Sequence, residues 1–360
     1  MGMDRTALIE FFQSIGEPPF RAIQVLKWIH QQGVIDFDQM TNLSKSLRER
    51  LKSVCTITVP ECMTKQLATD GTTKWLLDVG VGNGIEAVLI PETTRNTVCI
   101  SSQVGCSLNC TFCSTGKQGF NRDLTAAEII GQLWHVVHTG DKQVTNVVMM
   151  GMGEPLLNFE PVLAALRLMR DDCAYGLSKR KVTVSTSGLV PKIQVLRESV
   201  DVALAISLHA PNNELRDVLV PLNKKYPIEE LLTACKAYVG DDPRLHVTIE
   251  YVMLAGINDS VTHARQLITI LQGLRSKVNL IPFNPFPNTE YQCSDRETIE
   301  RFQHKLMQAG LIATIRKTRG QDIAAACGQL AGLVKDKTKR SLYLQRKMIP
   351  ITLNTESKLN

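Results

Sequence analysis

An α/β fold built on a parallel sheet, with a small helical unit ahead of it and a short antiparallel sheet between the two, is what this 360-residue sequence predicts. Three observations carry the expectation. From about residue 95 to 318, continuous apolar, β-branched runs alternate with amphipathic helical patterns, the signature of a parallel sheet covered by helices. Residues 4 to 54 instead repeat their apolar residues at helical spacing. From about 56 to 92 the pattern becomes strand-like alternation, punctuated by Asp70-Gly71 and Gly82-Asn83-Gly84.

Taken in order, Leu8-Ile9, Phe11-Phe12 and Ile15 mark the first helix. Gly16-Glu17-Pro18-Pro19 breaks it, and the pattern resumes from Ala22 to Gln32. Arg21, Lys27, Lys45, Arg48, Arg50 and Lys52 make this unit basic. The expected parallel strands are 97–102, 146–150, 182–185, 202–207, 247–253 and 279–283. Helices are expected at 125–139, 159–170, 191–199, 228–239 and 260–273, and a late helix–strand pair at 295–309 and 312–316. The organisation is therefore a helical unit over 1–54, a β extension over 55–94, a large α/β body over 95–318 and a C-terminal segment over 319–360.

A hydrophobic content of 44% supplies an ample core, and no apolar run approaches a membrane span. The first ten residues lack a signal-peptide core. Ten cysteines are too sparse for a disulfide scaffold, and clustered thiols require a reducing compartment, so a cytoplasmic protein is expected. The net charge of +6 is mild. Its basic runs, at Lys179-Arg180-Lys181, Lys224-Lys225, Arg316-Lys317-Thr318-Arg319 and 335–347, are each explicable as a solvated face. Together they permit an anionic macromolecular partner.

Cys106, Cys110 and Cys113 stand in the spacing C-x3-C-x2-C, just after the first parallel strand. Three thiolates make a soft-metal site with a position to spare. In a [4Fe-4S] cluster each iron takes one thiolate, which leaves the fourth iron free for a small chelating ligand. Structural zinc would require a second such pair, and the chain has none. Polar or small residues also replace Val and Leu at the ends of the later strands: Gly151-Met152-Gly153-Glu154, Ser185, Ser207-Leu208-His209 and Asn284. Singly these read as caps or a core histidine; jointly they point to the C-terminal face of the sheet, where parallel barrels place their chemistry. Two lone cysteines, Cys99 and Cys327, read by themselves as packing residues. The glycine before Cys327, the potential cap Asp322 and the alanine run suggest a helix start or flexible loop there, with an accessible thiol. Glu86 reads as a surface strand residue.

The cysteine spacing resembles that of the radical S-adenosylmethionine (SAM) superfamily. The resemblance implies an open, partial (β/α)6 barrel and a [4Fe-4S] cluster on Cys106, Cys110 and Cys113. SAM would chelate the free iron, and one electron would cleave it to a 5′-deoxyadenosyl radical. It further implies that Gly153 and Glu154 bind the SAM amino group, that Ser185, Ser207, Leu208 and His209 contact its ribose and methionine portions, and that Asn284 contacts its adenosine. Cys99-Ile-Ser-Ser-Gln-Val-Gly-Cys106, Met149 to Leu157, Ser185-Thr186-Ser187-Gly188, Ser207 to Asn212 and Ala326-Cys327-Gly328-Gln329-Leu330 resemble the RlmN group. These enzymes methylate adenine C2 in ribosomal and transfer RNA. That closer resemblance implies adenosine 2503 of 23S rRNA and adenosine 37 of tRNA as targets. It makes Cys327 the methyl carrier, through S-methylcysteine. It makes Cys99 the resolving thiol, ending in a Cys99–Cys327 disulfide that is later reduced, and Glu86 the proton-handling carboxylate. It also implies flavodoxin as reducing partner. The basic residues of the N-terminal unit, such as Arg21, Lys27 and Arg48, are expected to contact RNA phosphates, with no membrane partner and a monomeric state. The rival readings are a Cfr-type adenine-C8 methyltransferase, a radical SAM enzyme acting on a small molecule, and a non-enzymatic iron–sulfur or zinc RNA-binding module.

Overall fold

The computed structural model describes residues 1–340, so the end of the basic tail, 341–360, lies outside the described residues. Helices α1 (Arg5–Ser14), α2 (Phe20–His30) and α3 (Lys45–Val54) form the N-terminal unit. The Asp4 carboxylate caps α1 by accepting the Ala7 N–H at 2.9 Å, and Gly16 ends the turn after it in the left-handed region, at φ 72°. Leu8, Phe12, Val25, Leu26, Ile29, Leu47 and Leu51 are buried, as the helical spacing requires.

Strands β1 (Cys62–Leu67), β2 (Thr73–Asp78) and β3 (Gly84–Pro91) form the expected antiparallel meander. It is not separate from the main sheet. β3 pairs antiparallel with β4 (Asn96–Cys99), the first strand of the parallel region. A small hairpin, β5 (Gln103–Gly105) with β6 (Phe120–Asp123), flanks the cysteine loop and the short α4 (Ser114–Gln118). β4 is then joined in parallel, in chain order, by β7 (Asn146–Met149), β8 (Val182–Thr186), β9 (Ala203–Ser207), β10 (Val247–Met253), β11 (Ser276–Pro282) and β12 (Ile312–Ile315). The result is one open sheet of ten strands, with β1 and β12 at its edges.

Parallel neighbours cannot be joined by tight turns, so each crossover carries a helix. These are α5 (Ala126–Thr139), α6 (Phe159–Arg170), α7 (Val190–Ser199), the pair α8 (Asn213–Leu219) and α9 (Ile228–Val239), α10 (Val261–Ile270) and α11 (Arg296–Gln308). Thr125 and Glu128 form a reciprocal capping box that starts α5. The N-terminal unit docks along α5 and at the end of α6: Trp134 donates to the Ile29 carbonyl at 2.7 Å, and Arg5 pairs with both Asp171 and Asp172. No helix of the described residues is long and apolar enough to cross a membrane.

Candidate active site

Everything the strand-end pattern singled out converges on the C-terminal edge of the parallel strands. β4 ends at Cys99, and the chain turns through Gln103 into the cysteine loop. Gln103 is buried and ties that loop to the glycine–glutamate turn. Its Oε1 accepts the Glu154 N–H at 3.0 Å and the Ser107 N–H at 3.3 Å, and its Nε2 donates to Asp123 at 2.7 Å. Gly153 has φ 101°, and a Cβ there would lie 2.6 Å from the Gln103 Cβ, so only glycine permits the two segments to meet. The buried Glu154 carboxylate accepts the Ser187 N–H at 2.7 Å and the Leu156 N–H at 3.1 Å. Burial raises its pKa.

A cavity of about 160 Å³ opens among Cys106, Cys110, Cys113, Glu154, Ser185, Ser207, His209 and Asn284. Leu208 does not line it; its side chain is fully buried in the core. His209 adopts φ 60° and accepts the Val252 N–H on Nδ1 at 3.1 Å, so its ring proton sits on Nε2. Burial, with the nearby Arg216, pushes its pKa down to about 3 and keeps the ring neutral. Burial and mutual repulsion push the Cys110 thiol up to about 12 and Cys106 well above its ordinary value; Cys113 is raised mainly by burial. Such thiols ionise when a cation arrives. Four sulfurs round one zinc ion stand about 3.8 Å apart, given Zn–S bonds near 2.3 Å. Among the described residues the trio of donors gathered within 4.8 Å is Asp171, Asp172 and Cys173, which Arg5 already engages, not the three loop cysteines. The wider triplet suits a multi-iron cluster, in which each thiolate takes its own iron.

The same edge opens into a larger cavity of about 970 Å³, lined by Cys99 and Cys327. Cys327 lines both cavities. Its segment is not a helix: a single 3-10 turn, Gln321–Ile323, is followed by Ala324 at φ 50°, and the Asp322 carboxylate accepts the Thr69 N–H at 2.9 Å instead of capping its own helix. The loop is fastened from outside, by Asn284 to the Cys327 carbonyl at 3.2 Å, Ser114 to the Gly328 carbonyl at 2.8 Å and Thr115 to the Leu330 carbonyl at 2.6 Å. Cys99 is buried and unbridged. Burial, and then the charge of Cys327, push its thiol up to about 12. Arg316 faces the pair from the end of β12, and Cys327 leads the causes that raise its pKa. Glu86 corrects the surface reading: it is buried, 3.0 Å from Lys74, and accepts the Ala331 N–H at 2.9 Å beneath the Cys327 loop.

Comparison with known proteins agrees with this geometry. Residues 1–57 match the family described as the ribosomal RNA large subunit methyltransferase N-terminal domain, and residues 100–268 match the radical SAM superfamily. The crystal structure of a radical SAM methyltransferase from Sphaerobacter thermophilus is 43% identical, with a TM-score of 0.85 over 91% of this chain and 98% of that one. The chain belongs to the radical SAM methyltransferases, in the RlmN group. More distant similarities are to a domain of pyruvate-formate lyase-activating enzyme from Bacteroides vulgatus (18% identity, TM-score 0.38, 48% of this chain and 99% of that one) and to SAM-bound SuiB from Streptococcus suis (15%, 0.47, 63% and 52%). Radical SAM enzymes use a [4Fe-4S] cluster and SAM, and the donor set here fits both.

Two arginines of this RlmN-type site had no signal in the sequence. Arg216 is fully buried without a carboxylate partner. It donates to the carbonyls of Ser187 (2.7 Å), Ser207 (3.1 Å) and Leu208 (3.1 Å) and to Asn223 (2.9 Å), clamping the ends of β8 and β9. Arg340 reaches back to the cysteine loop, donating to the carbonyls of Cys106, Ser107, Leu108 and Gly116 at 2.7–3.2 Å.

Proposed function

We propose that this RlmN-type enzyme methylates adenine C2 in RNA, at adenosine 2503 of 23S rRNA and adenosine 37 of tRNA, using Cys327 as methyl carrier. One observation carries the reading: Cys327 lines both the small cavity beside the cluster cysteines and the large cavity that holds Cys99. A carbon attached to its sulfur is thus presented to both. Cys106, Cys110 and Cys113 hold the cluster. Gly153, Glu154, Ser185, Ser207, His209 and Asn284 would hold SAM, which with the cluster would supply the methyl group and the hydrogen-abstracting radical. The one-electron reductant is a flavodoxin-type protein.

The chain's own groups then do the following. Cys327 carries the one-carbon unit to the adenine: its sulfur-bound carbon, left a radical by loss of one hydrogen atom, bonds to C2, and the adduct radical gives up one electron, which the iron–sulfur site would accept. Glu86, hydrogen-bonded beneath the Cys327 loop, takes the proton from C2. Cys99 attacks the Cys327 sulfur; the S–S bond forms as the sulfur–carbon bond breaks, and the electron pair goes to the carbon, which gains a proton and becomes the methyl group. Neutral His209 and the backbone-bonded Glu154 fix the cavity wall.

The test separates the two thiols. Cys327→Ala is expected to make no product and no covalent RNA complex. Cys99→Ala is expected to accumulate protein crosslinked to RNA, visible on a denaturing gel. Mass spectrometry of RNA from the wild-type reaction must place the methyl group on C2. A methyl on C8, or a crosslink in the Cys327 variant, overturns the proposal.

A further inference from the structure

We infer that RNA enters the large cavity from the N-terminal rim of the parallel sheet and seats backbone phosphates on Arg180, His246 and Lys277. This rests on the RNA methyltransferase reading and specifies where the strand lies. The cavity runs the depth of the sheet: Cys99 and Cys327 line it at one end, and Asn146, His246 and Lys277, at or just before the starts of β7, β10 and β11, line it at the other. Its wall carries eight lysines and arginines against two glutamates, so it concentrates anions.

Several of those cations are already engaged. Lys179 pairs with Asp201 at 3.0 Å, Arg244 with Asp242 at 3.0 Å and Arg95 with Glu92. Among the described residues the side chains of Arg180 and Lys277 have no ion-pair or hydrogen-bond partner. Both are exposed, and both charges lower the His246 pKa, adding to the larger effect of desolvation. Two cations, Arg180 and Lys277, brought together beside the neutral His246 from three strand starts gain nothing from each other; a phosphate offsets their repulsion.

Access favours the same rim. The opposite edge is strapped by the C-terminal segment, through the Gly84–Leu333 bridge, Lys335 on Asn83 and Arg340 on the cysteine loop. Crossover helices run antiparallel to their strands, so the C-terminal ends of α5 and α6 lie at the N-terminal rim. There the N-terminal unit docks, through His30 with Tyr175 and His138, and Arg5 with Asp171. Within that unit, Arg21 is tied to Gln24 and Asn42 and Arg48 to the Asp38 carbonyl. Lys27 is exposed on α2, near Cys173 just past the C-terminal end of α6.

The experiment measures binding of a fluorescent RNA hairpin with an unpaired loop adenine, by anisotropy over a range of salt. Arg180→Gln/Lys277→Gln removes two phosphate contacts, so the slope of log Kd against log salt is expected to fall by about 1.5 and affinity at moderate salt at least tenfold. Arg296→Gln/Arg301→Gln, which removes the same charge from the exposed face of α11, is expected to leave the slope within about 0.3 of wild type. Circular dichroism and iron content report that each variant is folded. An unchanged slope in the rim variant, or equal losses in both doubles, overturns the rim assignment. Failure of the wild-type chain to bind RNA at all overturns the functional reading itself.

Discussion

Replacing Arg216 by Met sets two large terms against each other. Met has a similar length and no charge, so the change relieves the desolvation of a buried guanidinium whose pKa burial has pushed down to about 10. That relief is worth several kcal/mol. Against it, the carbonyls of Ser187, Ser207 and Leu208 and the Asn223 side chain lose their charged donor. Hydrogen bonds to a charged group contribute about 1.5–3 kcal/mol each, and a buried acceptor left unpaired costs about 1–3 kcal/mol. Four acceptors outweigh one desolvation, so the expected net loss is roughly 3–5 kcal/mol, a large share of an ordinary domain's stability. Arg216→Lys keeps the charge but offers a single donor head and is expected to fall between. Urea unfolding of the metal-free protein measures the stability. SAM affinity of the reconstituted protein is expected to weaken as well, because the carbonyls that Arg216 holds belong to the β8 and β9 ends. A loss below about 1 kcal/mol with normal SAM binding would refute the clamp.

Two further predictions follow from side chains outside the chemistry. Arg340→Ala frees four carbonyls of the cysteine loop, so the reconstituted cluster is expected to surrender iron to a chelator several-fold faster; an equal rate shows that the loop holds its own shape. His30 is buried, and burial pushes its pKa down to about 3, below the unfolded value of 6.5. Below pH 6.5 the unfolded chain therefore binds a proton that the folded chain refuses, so stability falls with pH from 6.5 toward 3 and is level above. At about pH 5.5 the cost is about 1.4 kcal/mol. His30→Phe is expected to remove that part of the acid loss; urea midpoints at about pH 7.5 and 5.5 that shift equally in both proteins exclude it.

The sequence by itself determined the alternation of strands and helices in the parallel region and the candidate residues at the strand ends. Residues 247–253 read as a strand and form β10 over the same span, because a fully buried parallel strand shows its apolar run within one short window. The three cysteines proposed to hold the cluster are legible for the same reason: they sit in one loop. Tertiary structure decided the rest. Glu86 alternates like any strand residue, and its burial depends on Lys74 across the hairpin and on Ala331, 245 positions away. Nothing near Asp322 announces that its carboxylate bonds to Thr69 in place of a helix start. Arg216 and Arg340 look like surface cations until the chain closes, since an arginine is tolerated inside only where many carbonyls converge. Periodicity records what a residue's neighbours in the chain demand; which distant groups meet at Cys327 is set by the register of the whole sheet, and that has no local period to read.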